Sequence, residues 1–73
     1  MNLDFTQPPS LGLYRSVRSV FILNGKSLGS WCRQNDVSLA MVKDSLIGKN
    51  NGKKSVAVRN QIIADVQTLA EGA

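Results

Sequence analysis

Apolar residues recur at intervals of three and four positions along most of this chain, which is the period of an α-helix buried on one side. In the first part of the chain the spaced residues are Leu13, Val17, Val20 and Phe21. Near the end they are Val58, Ile62, Val66 and Leu69. The spacing predicts a first helix over about residues 12–23, stopped by Asn24-Gly25, and a long last helix. An all-α protein is therefore expected.

Two serines predict the starts of two short helices between these. Ser27 and Ser38 each precede an apolar stripe, and a serine hydroxyl can accept the free N–H groups of a first helical turn. The stripes are Leu28, Trp31 and Cys32 in one helix and Leu39, Val42 and Leu46 in the next. Asn35-Asp36 favours a turn between them, and Gly48 is a natural end. Two short helices are thus predicted to meet across a three-residue turn.

The run from Gly48 to Lys54 has no side chain that would build a core, so we expect a surface loop there. Ser55 could then cap the last helix. Asn51-Gly52 is also a strong hairpin signal, and residues 55–59 could instead form a strand. The helical spacing continues well beyond Arg59, and no alternating partner strand precedes the turn, which favours the helix.

The first ten residues show little periodicity and contain Pro8-Pro9, which favours extended geometry before each proline. We expect residues 1–10 to form an extended arm and residues 11–73 to form one compact four-helix domain. The arm carries Asp4 and no basic residue, so it is unsuited to a DNA minor groove. Its Leu3 and Phe5 could pack on the body or on a partner subunit.

The chain has 73 residues, no histidine and a single cysteine, which removes several kinds of chemistry. The usual zinc sites, Ser-His or Cys-His nucleophile pairs and an internal disulfide all require residues that are missing. We expect neither an enzyme nor a cofactor. Apolar runs do not exceed four residues, as at Val20–Leu23, whereas a membrane helix needs roughly 20. A cytoplasmic protein is expected.

Charge is unevenly distributed along the chain. Residues 15–59 hold all nine basic side chains and only Asp36 and Asp44 as acids, a net charge of +7. The remaining acids, Asp4, Asp65 and Glu71, give the two ends a net charge of −3. A basic middle favours a polyanionic partner, although it could also be a solvated surface that keeps a small protein soluble.

Residues 27–48 combine a small residue where two helices would touch, a turn four positions later and two apolar anchors. These are Cys32, Asp36, Val37 and Val42, and the segment closes with Leu46-Ile47-Gly48-Lys49-Asn50. In these features it resembles the helix-turn-helix of small phage-type regulators, the group of Cro, cI repressor and Ner. With the flanking helices the resemblance covers about residues 12–70. It implies a lambda-repressor-like, DNA-binding fold.

Two positions depart from the pattern of that family. Asp36 stands where glycine is most frequent, and aspartate can still reach left-handed geometry at modest cost. Ser45 stands where the family has a second apolar anchor. Leu46 must then take over that packing, or the helix sits slightly rotated.

The resemblance implies that the helix Ser38–Ile47 lies in the major groove of DNA. The side chains it would direct to base edges are Ser38, Leu39, Ala40, Lys43, Asp44 and Ile47. Lys43 could donate to guanine, and Asp44 could accept from cytosine. Lys43 could instead be a phosphate contact or a solvated charge. Asp44 could deter non-specific binding or pair with neighbours of Lys43, and Leu39 could belong to the core.

Phosphate contacts are expected from the start of the second helix and from the basic loop. The residues are Lys26, Ser27, Lys49, Asn50, Lys53 and Lys54. Arg33 could add a further phosphate contact. Arg15, Arg18 and Arg59 could be flanking contacts or only solubilising charge. Trp31 could stack on a base, but its helical spacing favours the core, and Cys32 is expected to be a small buried side chain.

These features predict a sequence-specific double-stranded DNA-binding transcription regulator, a repressor of phage or prophage type that occupies an operator. One small unit contacts few base pairs, so we expect a homodimer on a palindromic site. Its surface could be Val56, Ile63 and Ala70 on the last helix, or the arm. One alternative is an excisionase-like or architectural DNA-binding factor. Another is a protein-interaction module, such as an antitoxin or a phage inhibitor of a host protein.

Overall fold

Helices and short connections make up the structure between residues 8 and 72. A computed structural model describes these residues, and its helices are α1 (Leu11–Leu23), α2 (Leu28–Gln34), α3 (Leu39–Ile47) and α4 (Lys53–Gly72). The all-α prediction is confirmed for this part of the chain, and the alternative strand at residues 55–59 is wrong. Most of the expected arm, including Leu3 and Phe5, lies outside the described residues.

Serine hydroxyls cap the first three helices. Ser27 Oγ accepts a hydrogen bond from Ser30 N–H, and Ser38 Oγ accepts one from Met41 N–H, each at 3.1 Å. Both predicted caps are therefore confirmed. Ser10 Oγ likewise accepts a hydrogen bond from Leu13 N–H, a cap that was not predicted from the sequence. Each such cap stabilises its helix by about 1 kcal/mol.

Left-handed glycines end α1 and α3. Gly25, with φ of 68°, follows α1, and Lys26 N–H turns back to Phe21 O at 2.8 Å. Gly48, with φ of 87°, ends α3, and a Cβ there would lie 3.0 Å from Pro9 Cβ. Because Ser10 N–H also donates to Leu46 O at 2.9 Å, the start of the described chain lies against the end of α3.

The last helix begins earlier than the sequence predicted. Gly52 N–H bonds to Asn50 Oδ1 at 3.1 Å, and Gly52 O already accepts Val56 N–H at 2.9 Å. The two lysines predicted for the loop, Lys53 and Lys54, are consequently the first residues of α4. The assignment of Ser55 as the cap is wrong, because its hydroxyl points into the protein interior and is fully enclosed there.

The core lies between α1, α3 and α4, with α2 packed on α3. Its buried apolar residues are Leu13, Val17, Val20, Phe21, Leu28, Trp31, Cys32, Val42, Leu46, Val58, Ile62 and Val66. Every stripe predicted from helical spacing contributes to it, with Leu69 half-buried at its edge and Leu39 outside it. Burying each large apolar side chain stabilises the fold by about 1.5–3 kcal/mol.

Part of the suggested dimer patch on α4 is already used by the fold. Val56 and Ile63 are half-buried, and Ile63 packs against the core, so Ala70 is the fully exposed member. Larger exposed apolar side chains lie on α1 and α3, at Leu11, Ile22, Leu23 and Leu39. Between residues 8 and 72, no helix has the length and apolar character needed to span a membrane.

Candidate functional site

The turn between α2 and α3 depends on one residue in left-handed geometry. Asp36 has φ of 55°, the one positive value at a non-glycine residue between positions 8 and 72. Its N–H donates to Arg33 O at 3.4 Å, and Val37 N–H donates to Cys32 O at 3.0 Å. These two hydrogen bonds end α2 in a pattern that usually has glycine at the left-handed position. The expectation that aspartate would reach this geometry is confirmed, and it sets the direction in which α3 leaves α2.

α3 has an enclosed inner side and an open outer side. The inner side consists of Val42, Ser45 and Leu46, each 0% exposed. The outer side of α3 comprises all six predicted base-reading residues: Ser38, Leu39, Ala40 and Lys43, which are exposed, and Asp44 and Ile47, which are half-buried. Leu39 is 47% exposed, so the alternative that it belongs to the core is wrong. The structure therefore brings these six side chains to one surface.

Tyr14 of α1 lies beside that surface. The Lys43 ammonium lies 5.7 Å from the centre of the Tyr14 ring, within the range of a cation–π contact. Tyr14 itself is half-buried and packs against the core. Tyr14 is not part of the predicted apolar stripe of α1, which begins at Leu13. The spacing of the sequence therefore did not indicate a contact between Tyr14 and α3.

Ser45 is accommodated inside the protein by a second serine. Its Oγ lies 2.7 Å from Ser55 Oγ and 2.8 Å from Met41 O, while Ser55 Oγ lies 2.6 Å from Asn50 O. Each hydroxyl has one proton, so two of these three contacts can be hydrogen bonds at one time. Leu46 is also 0% exposed and packs in the core, and the serine pair attaches α3 to the start of α4.

Arg59 holds the connection between α3 and α4. One of its guanidinium nitrogens, Nη1, donates to Ser45 O at 3.0 Å and to Asn51 Oδ1 at 3.1 Å. The amide of Asn51 in turn donates to Gly48 O at 2.9 Å. From the sequence, Arg59 was predicted only as a flanking contact or solubilising charge. The structure instead places it as a link within the chain.

The predicted phosphate-binding residues lie in two groups. Lys26 and Ser27 are exposed ahead of α2, and Ser27 Oγ accepts the Ser30 N–H. The second group, Lys49, Asn50, Lys53 and Lys54, is exposed between the end of α3 and the first turn of α4. Lys53 and Lys54 begin α4, so they lie at the positive end of the helix dipole, and no acid in the first turn offsets them. The fixed loop therefore concentrates positive charge beside the end of α3.

An open groove lies between α2 and α4. It has a volume of about 610 Å³, and Trp31 lies in its wall, 5% exposed, with Nε1–H donating to Asp65 Oδ2 at 2.7 Å. Gln61 Nε2 also donates to Asn35 Oδ1 at 2.6 Å. The prediction that Trp31 belongs to the core is confirmed, and these two hydrogen bonds connect α2 to α4.

Cys32 is a buried free thiol at the contact of α2 with the core. Burial raises the pKa of this thiol, and the neighbouring Arg33 guanidinium opposes the shift. A buried neutral thiol is a weak nucleophile. Its expected role as a small buried side chain is confirmed by its 4% exposure.

Residues 8–72 contain no cluster of three or more cysteine or carboxylate side chains that could hold a metal ion. Comparison of the chain with protein-family models, with curated proteins and with solved structures gives no significant match.

Proposed function

We propose that this protein is a sequence-specific double-stranded DNA-binding transcription regulator, a repressor of phage or prophage type. In this proposal α2, the turn at Asp36 and α3 form a helix-turn-helix of a lambda-repressor-like domain, and α3 lies in the major groove. The observation that carries it is the two-sided character of α3. Its inner side is fully enclosed, while its outer side is exposed from Ser38 to Lys43 and half-buried at Asp44 and Ile47.

The outer side of α3 carries the chemistry that major-groove readout needs. The Lys43 ammonium can donate to guanine O6 and N7, and the Asp44 carboxylate can accept from cytosine N4. Leu39 and Ala40 offer apolar surface for a thymine methyl group. A carboxylate on this surface repels phosphate, so charge attraction alone would not select it. Donor, acceptor and methyl contacts on one helix side favour the reading of base sequence.

Basic residues lie at both ends of the proposed helix-turn-helix. Lys26 precedes α2, and Lys49, Lys53 and Lys54 follow α3, all of them exposed. Asn50 and Ser27 have oxygens engaged with backbone N–H groups, but the amide and hydroxyl protons of their side chains can still donate to phosphate. Such contacts would fix the position of α3 on the duplex while its outer side selects the sequence.

A binding selection tests the proposal directly. The probe is a pool of duplexes with a randomised central segment about two helical turns long, which accommodates a palindromic site for two copies. We expect enrichment of a defined sequence and an affinity that falls steeply with salt as counterions are released. Lys43→Ala and Asp44→Ala should change which sequence is enriched, whereas the exposed α1 variant Arg15→Ala should not. Absence of enrichment, or unchanged preference in both α3 variants, would contradict the proposal.

The exposed apolar end of α1 favours one alternative, a protein-interaction module. Ile22 is 60% and Leu23 is 70% exposed. That function predicts no preference among duplexes and no effect of Lys43→Ala on duplex binding.

An excisionase-like or architectural factor is a different alternative. It would also bind duplex DNA but would bend it strongly, and the gel mobility of circularly permuted duplexes measures the bend.

A further inference from the structure

The contact between Lys43 and Tyr14 joins a proposed base-contacting residue of α3 to an aromatic ring of α1. Tyr14 is half-buried and packs against the core, so the core sets the position of its ring. Lys43 is exposed, and its ammonium lies 5.7 Å from the ring centre. The ring face carries partial negative charge and attracts the ammonium. The ammonium of Lys43 is thereby attracted to a group outside α3.

α3 itself offers no comparable partner for Lys43. Its positions three and four residues away, where helical side chains meet, are Leu39, Ala40, Leu46 and Ile47. Asp44 is the adjacent residue, and adjacent side chains on a helix do not face each other. The orientation of Lys43 therefore depends on α1.

Resting on the DNA-binding function proposed above, we propose that Tyr14 is a positioning residue that sets the sequence specificity of Lys43. An ammonium group has three N–H donors, so a cation held on a ring still has donors to direct at a base edge. A lysine already ordered in the free protein loses less rotamer freedom when it binds. Tyr14 thus favours the one geometry in which Lys43 reaches its base pair.

The test compares Tyr14→Phe, which keeps the ring, with Tyr14→Leu, which keeps apolar bulk but removes the ring. The probe is the duplex enriched by the unmodified protein, together with duplexes changed at each base pair in turn. At the base pair whose discrimination Lys43→Ala abolishes, Tyr14→Leu should lower discrimination about two- to fivefold, the effect of an exposed cation–π contact. Tyr14→Phe should retain it. In a Lys43→Ala background, Tyr14→Leu should add nothing.

A measurement on the free protein separates this inference from the DNA-binding proposal. The ring current of Tyr14 should shift the Lys43 ε-CH₂ proton resonances upfield in the unmodified protein and in Tyr14→Phe, but not in Tyr14→Leu. Circular dichroism checks that each variant is folded, and Tyr14→Met replaces the leucine variant if that one unfolds.

Unshifted Lys43 resonances, or equal discrimination in the phenylalanine and leucine variants, would overturn the role of Tyr14 while leaving DNA binding intact. A protein with no preference among duplexes would overturn both proposals, and the resonances would then report only a structural contact.

Discussion

The hydroxyl oxygens of Ser45 and Ser55 lie 2.7 Å apart in the interior of the protein and join α3 to the first turn of α4. The two residues are 0% and 1% exposed, so water cannot replace either partner. Buried polar groups are costly when unpaired, and both hydroxyls are paired when Ser45 donates to Ser55 and Ser55 donates to Asn50 O. The position of α3 on α4 is therefore specified by polar as well as apolar contacts.

Replacing the two serines should have unequal effects. Ser55→Ala removes the donor to Asn50 O and should lower the free energy of unfolding by about 1–3 kcal/mol. Ser45→Ala leaves Ser55 able to donate to Asn50 O and should cost less, about 1 kcal/mol. Denaturant titration measures both, and the double variant should cost less than the two single losses combined. Equal losses that add fully would contradict this account.

Asp36→Gly should stabilise the protein. A left-handed conformation costs an ordinary residue about 1–2 kcal/mol and glycine almost nothing, so we expect a gain of about 0.5–1 kcal/mol in thermal or denaturant unfolding. Asp36→Asn keeps tolerance of this geometry while removing the charge, and serves as the control. If the asparagine variant gains as much as the glycine variant, charge rather than backbone strain is the cause.

Arg59→Ala should loosen the connection between α3 and α4. It removes the donor to Ser45 O and Asn51 Oδ1, and we expect a loss of about 1–3 kcal/mol together with faster hydrogen exchange of the amides of residues 48–52. The exposed α1 variants Arg15→Ala and Arg18→Ala should change stability by less than about 0.5 kcal/mol. Unaltered exchange in Arg59→Ala would show that the loop does not depend on this arginine.

Lys53→Ala and Lys54→Ala should affect stability and DNA binding in opposite directions. Each removes a cation from the positive end of α4, so the free protein should become slightly more stable. Each also removes a proposed phosphate contact, so duplex affinity should fall for all sequences and the salt slope should shrink by about 0.9 per lysine. Binding isotherms at several salt concentrations give the slope. A change in sequence preference would assign these lysines to base readout instead.

The raised pKa of Cys32 predicts a pH dependence of stability. The folded protein favours the neutral thiol, so the contribution of Cys32 is complete below its ordinary pKa of 9.0 and is lost as pH rises above that value. The difference in unfolding free energy between the unmodified protein and Cys32→Ala should therefore be constant near neutral pH and fall at alkaline pH. A constant difference throughout would show that burial does not perturb this thiol.

Local signals predicted the helices well, because serine caps, left-handed stops and apolar spacing act within a few residues. Ser27, Ser38 and Asn24-Gly25 all mark real boundaries. The same local reasoning made the prediction for Ser55 wrong. A serine at that position is typical of a helix cap, but its hydroxyl contacts Ser45, which lies in another helix. The helix instead begins beyond Gly52, whose N–H bonds to Asn50 Oδ1 and whose carbonyl accepts Val56 N–H.

The sequence predicted which side of α3 forms the candidate site, but not the residues of other helices that contact α3. The outer side of α3 follows from periodicity, since the buried residues Val42 and Leu46 fix which side is inside. Tyr14 and Arg59 could not be found in this way, because they contact residues 29 and 14 positions away, respectively, in Lys43 and Ser45. Such pairings depend on how the helices cross, which spacing along one helix does not contain.

The tryptophan in the wall of the groove between α2 and α4 is an intrinsic fluorescent probe of the fold. Trp31 is the single tryptophan of the chain, and its indole N–H is bonded across that groove to Asp65. Its fluorescence therefore follows the seating of α2 on α4, whereas far-ultraviolet ellipticity, dominated by the longer helices, follows the whole fold. Coincidence of the two signals during unfolding means that α2 melts with the rest, and an earlier fluorescence change means that α2 detaches first.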